Sequence, residues 1–254
     1  MTTAAEPSPL HRVPAVRWQP GRDTLWAGLS IPLMWAVYWG NTMLGNQQSL
    51  LALGLWFVVG NLVVCTLLPA WVVTRVAGEG WAGLGFTKRR WWLALGLTLF
   101  FGLGSLPFYF QQAAAAGVAP VEHLAYNLVI LWEPLFVAGF LQLRFTRAFG
   151  WLPGIILATL GFAAYHVGSV PAVVLATFVG SGLTYCVLMA FTRNIWTLFP
   201  LAAGVSSAIG TLQAGLSFEW STFWMGLVVL VFQVLILVAV FARRPRTTEN
   251  PGHR

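Results

Sequence analysis

Eight apolar runs of roughly membrane-spanning length follow one another along this chain, and the polar positions gather at the joints between them. The runs cover 25–44, 50–73, 91–111, 121–143, 151–169, 171–192, 195–214 and 221–242. A helix needs about 20 predominantly apolar residues to cross the hydrocarbon core of a bilayer. The pattern therefore predicts an all-α fold, a polytopic transmembrane helical bundle of about eight spans. Only Gly168-Ser169-Val170-Pro171 parts the fifth run from the sixth, a break made of residues that punctuate helices. Residues 1–24 read as a disordered basic N-terminal segment and 243–254 as a basic tail, which leaves 25–242 as the membrane domain.

Composition agrees with the pattern. Only 8% of the 254 residues are charged and 58% are hydrophobic, whereas a soluble domain carries about 25% charged residues. The net charge of +7 matters less than its distribution. With eight spans and a cytoplasmic N-terminus, the inner joints and ends hold all fourteen cations: Arg12, Arg17 and Arg22; Arg75, Lys88, Arg89 and Arg90; Arg144 and Arg147; Arg193; and Arg243, Arg244, Arg246 and Arg254. The outer joints carry Glu122 and Glu219 instead. This asymmetry is an orientation signal that predicts both termini inside; no nucleic-acid partner is expected. Cys65 and Cys186 lie within apolar runs, without disulfide or metal spacing. Neither a metal nor a cofactor is expected.

Two polar groups stand out against this background. Glu133 lies midway along the fourth run, and His166 lies toward the outer end of the fifth. An ionisable side chain at such depth is costly unless something compensates it. A Glu–His pair at hydrogen-bond distance relieves both groups and can take a proton from water. It can equally serve as a strut between two helices, and the two residues alone leave both readings open. Glu122 and His123 read as solvated joint residues, while Asn41, Asn61, Asn127, Gln213 and Gln233 read as interhelical hydrogen-bond partners.

The segments around these residues resemble the CAAX prenyl protease and bacteriocin-processing family of intramembrane proteins, the CPBP or ABI family. Its first motif, Glu-Glu-x-x-x-Arg followed by Gly-Phe-Leu-Gln, is similar to Glu133, Gly139-Phe140-Leu141-Gln142 and Arg144 here. Its second, Phe-x-x-x-His, is similar to Phe162 and His166. Asn194-Ile195-Trp196 before Pro200, and Gly83-Leu84-Gly85-Phe86 before a basic cluster, extend the resemblance over about 80–215. The resemblance implies that Glu133 and His166 are the water-activating pair. It also marks departures: Pro134 stands where the second Glu belongs, Ala138 where the Arg belongs, and Gly204 and Ala208 where the third motif has its oxyanion-holding His and Asn.

The expected function is accordingly that of a diverged CAAX-protease-like membrane protein, a pseudoenzyme with weak or no peptidase activity. Its partners would be the lipid bilayer and a membrane-embedded or lipidated peptide or protein. An active intramembrane endopeptidase using Glu133 and His166, with oxyanion donors such as Ser206, Ser207 or Thr211, is the alternative. A small-molecule carrier is a third reading, against which stands the lack of an inverted repeat. The small-residue face Ala203, Gly204, Ser207 and Ala208 is expected to pack closely and fill the space a substrate needs. The expected location is a bacterial cytoplasmic (inner) membrane.

Overall fold

The structure, a computed structural model, describes residues 13–45 and 49–243. Most of the basic tail and residues 1–12 of the N-terminal segment lie outside the described residues. The described residues form eight helical rods in sequence: α1 (Arg22–Met43), α2 (Leu50–Val76), α3 (Trp91–Ala116), α4 (Pro120–Phe149), α5 (Trp151–Ala164), α6 (Ala172–Thr192), α7 (Leu201–Gln213) and α8 (Trp220–Ala242). There is one rod for each apolar run. Of these, α2, α3, α4, α6 and α8 are long and apolar enough to cross a membrane unaided. At 14 and 13 residues, α5 and α7 are only about 20 Å long at 1.5 Å per residue. The fifth run stops being helical at Ala164, ahead of Gly168 and Pro171, and the seventh becomes α-helical only after Pro200.

The hub is α4. Within its most apolar window 72% of residues are buried, against 22–44% for the other four candidate spans, and it packs on α1, α2, α5, α6, α7 and α8. It is not one continuous helix. Pro120–Leu128 ends at Val129, and a second piece restarts at Trp132. Pro134 falls in the first turn of that second piece, where a missing N–H costs least because first-turn amides have no intrahelical acceptor. From Leu135 to Gln142 the second piece is wound as a π-helix.

At one end of the bundle the charged side chains interlock. Buried Arg144 donates to both carboxylate oxygens of Glu79 (3.1 and 2.6 Å), to Asp23 (3.3 Å) and to the Gly83 carbonyl (3.1 Å). Arg147 also pairs with Glu79. The joint 78–90 thus supplies a carboxylate, Glu79, that holds this end of α4, while Asp23 ties Arg144 to α1.

The N-terminal segment departs from the expectation of disorder over residues 13–21. The Arg17 and Gln19 amides donate to the Phe149 and Ala148 carbonyls (2.9 and 2.8 Å), and Leu152 N–H donates to Ala15 O (3.2 Å). Gly150 makes this docking possible: its φ is +94°, and a Cβ there would meet Pro14 O at 2.7 Å.

Candidate functional site

Both residues singled out from sequence stand where a helix is interrupted. Glu133 lies in the first turn of the second piece of α4, where the helix dipole favours a carboxylate. His166 lies in the turn just past α5, with its carbonyl accepting from the Ser169 hydroxyl (2.8 Å). Irregular backbone inside a membrane bundle is tolerated where it lines a cavity. That is the case here. A cavity of about 510 Å³ is walled by both residues, a volume typical of small-ligand sites, about 300–1,000 Å³.

The expected hydrogen bond between Glu133 and His166 is not formed. Instead, His166 Nδ1 donates to the Phe162 carbonyl one turn back (2.8 Å), and its ring is packed by Tyr38, Tyr165 and Phe178 at centroid distances of 4.2 to 4.5 Å. An Nδ1 spent as donor leaves Nε2 of the neutral ring as an acceptor or base. Among the described residues neither Nε2 nor the Glu133 carboxylate has a protein hydrogen-bond partner, and neither is sealed from the cavity. A strut would show the opposite arrangement, with its polar atoms spent on each other. Two unspent polar groups thus face one open space.

The rest of the wall explains the opening. Ser206 donates to Ser181 across α7 and α6 (3.1 Å), and Ser207 and Thr211, one turn apart on α7, complete a hydroxyl strip. The small-residue face therefore splits in two. Ala203 and Ala208 are buried, and Gly204 is pressed against Leu128, whose Cα would lie 2.9 Å from an added Cβ. Ser207 instead faces the cavity, so the expectation that this face fills the substrate space is corrected. At the positions of the missing motif residues, Ala138, Gly204 and Ala208 are sealed in the packed interior and do not line the cavity.

His123 is a second correction. It is fully buried, not solvated. Its Nε2 lies 2.9 Å from Thr211 Oγ1 and 3.0 Å from the Ala208 carbonyl, and its ring stacks on Phe218 at 5.1 Å and 13°. It braces Thr211 from behind the cavity wall. Among the five amides expected to bridge helices, Gln233 does so, donating to Thr66 Oγ1 (2.6 Å). Asn127 donates within its own helix, Asn41 lines the cavity, and Asn61 is buried with both polar atoms unpaired. Among the described residues no group of three or more His, Cys, Asp or Glu is placed to hold a metal ion.

Residues 121–205 match the family model described as type II CAAX prenyl endopeptidase Rce1-like. Over that segment the chain is similar to the CAAX-protease-like family of membrane proteins. The matched segment contains Glu133 and His166 and ends one residue after Gly204, short of Ala208. No curated protein and no solved structure matches the chain.

Proposed function

We propose that this CAAX-protease-like protein binds a segment of a membrane-embedded or lipidated peptide in the cavity beside Glu133 and His166, in a bacterial cytoplasmic membrane, with little or no cleavage. The observation that carries the reading is the pairing of two unspent polar groups with a cavity while the positions for the oxyanion-holding residues are Gly204 and Ala208, turned into the packed core. Losing one oxyanion donor typically lowers the rate about a hundred- to a thousandfold. A site without that pair keeps its affinity and loses most of its chemistry.

The hydroxyl strip favours the second reading, an intramembrane endopeptidase. Ser206, Ser207 and Thr211 stand at the same cavity wall, and hydroxyls can donate to an oxyanion. Thr211 however already donates to the Ser207 and Ala208 carbonyls (2.9 and 3.1 Å), and Ser206 to Ser181, so Ser207 is the one least committed.

The deciding experiment incubates the purified protein with prenylated and unprenylated membrane peptides and follows cleavage by mass spectrometry, beside Glu133→Gln and Glu133→Leu variants whose melting temperatures are measured. The expected result is peptide captured and recovered intact. Cleavage by the wild type that stops in a normally melting Glu133→Gln variant overturns the reading in favour of general-base catalysis.

A further inference from the structure

The cavity has a chemical bias that neither Glu133 nor His166 alone conveys. Among the described residues Glu133 is the one acidic side chain on its wall, and no Lys or Arg lines it. Much of the remaining wall is aromatic, including Tyr38, Trp56, Tyr126, Phe162, Phe178 and Tyr185. Several of these rings brace one another: Tyr38 meets Trp56 edge-on at 4.5 Å, and Phe162 meets Phe178 at 5.7 Å. Aromatic faces carry negative quadrupole charge and attract cations, and such cages recognise alkylated ammonium groups. The described cations of the network around Arg144 pair with Glu79 and Asp23, not with Glu133. An anionic occupant would meet a like charge and find no counterion. A neutral one could offer Glu133 a hydrogen bond but no counter-charge.

Part of the lining points the same way. It includes Asn41 and Thr42 at the end of α1, Ser169 and Val170, and the turn 214–217. All three stretches belong to joints free of Lys and Arg. A cation arriving there meets no repulsion, and Glu219 lies just beyond the turn.

We propose that the cavity accepts an alkylammonium group, the lysine side chain or free amine of a membrane-anchored peptide, which enters from the cation-free end and sets its ammonium against Glu133 among the rings. This inference rests on the reading above that the cavity binds peptide, and it names the feature recognised. The hydroxyl of Ser207 supplies an acceptor for a second ammonium N–H.

The test titrates the purified full chain with a lysine-containing membrane peptide and its Nε-acetylated form, and with butylammonium, butanol, butyrate and phosphocholine as minimal probes. Affinity and melting temperature are the readouts. The lysine peptide is expected to bind about tenfold or more tightly than the acetylated one, a difference equivalent to about 1.4 kcal/mol. Butylammonium alone among the small probes is expected to raise the melting temperature. Glu133→Gln and Tyr38→Leu are each expected to erase the preference while still binding the acetylated peptide, which shows that they are folded. Equal binding of the two peptides overturns the ammonium proposal and leaves peptide binding standing. A preference that survives Glu133→Gln, or one for phosphocholine, overturns it as well. Stabilisation by butylammonium with no capture of either peptide keeps the ammonium site and removes the peptide reading.

Discussion

At the scale of single residues, Glu133 and His166 were legible because a lone carboxylate and a lone imidazole are conspicuous in apolar runs. Their separation was not legible. Reading each run as a continuous helix aligns them across two antiparallel rods, whereas the chain breaks near both residues and spends His166 Nδ1 on the Phe162 carbonyl. His123 was hidden for the opposite reason. It follows Glu122 in a polar joint, and the partners that bury it, Thr211 and Phe218, are far away in sequence. Its role can be divided by two substitutions. His123→Phe keeps the ring that stacks on Phe218 and removes an Nδ1 that has no partner, whereas His123→Ala removes stack and hydrogen bond together and leaves a cavity. The alanine variant is expected to lose about 2–5 kcal/mol, as large-to-small core changes do, and the phenylalanine variant clearly less. Thermal melting in matched detergent checks this. Equal losses would mean that the Thr211 bond, not the stack, holds the joint.

At the scale of elements, hydrophobic periodicity located all eight rods, because helix formation in a membrane is dictated by backbone hydrogen bonding that lipid cannot replace. What it missed were the interruptions. The break at 129–131 is set by Pro134, which opens a new first turn, and Pro171 and Pro200 fix where α6 and α7 begin. Close packing of the π-wound stretch of α4 was also invisible, since it depends on a contact with a distant loop. A Cβ on Gly139 would lie 2.7 Å from the Leu84 carbonyl oxygen, a backbone atom that cannot swing aside. Gly139→Ala is therefore expected to destabilise by about 1–3 kcal/mol, as overpacking does. Gly96 in α3 has nothing within 4 Å of an added Cβ, so Gly96→Ala is expected to be neutral or slightly stabilising through helix propensity. Melting temperatures of the two variants should move in different directions, and a harmless Gly139→Ala would show that the loop at Leu84 does not press on α4.

At the scale of the whole molecule, charge and cavity divide the bundle between its two ends. Asp23, Glu79, Arg144 and Arg147 come from three separate joints and meet at one end. Asn41, Ser169 and the turn 214–217 come from three other joints and meet in the cavity lining. The two groups of joints thus gather at different places in the bundle, while α5 and α7, at 14 and 13 residues, are shorter than the about 20 residues that cross a bilayer. Reporter fusions at Gly45, Ala116 and Ser217 are expected to read as outside, and fusions at Gly85, Arg147 and Arg193 as inside, since short cationic joints stay on the cytoplasmic face. The informative pair is Gly45 and Ser217. Asn41 and Thr42, just before the first position, and Ser217 itself border the same cavity, so they must report the same side whatever the orientation of the molecule. Opposite readings would mean that α7 does not cross, that the turn 214–217 does not close over Glu133, and that the cavity does not open on the cation-free face.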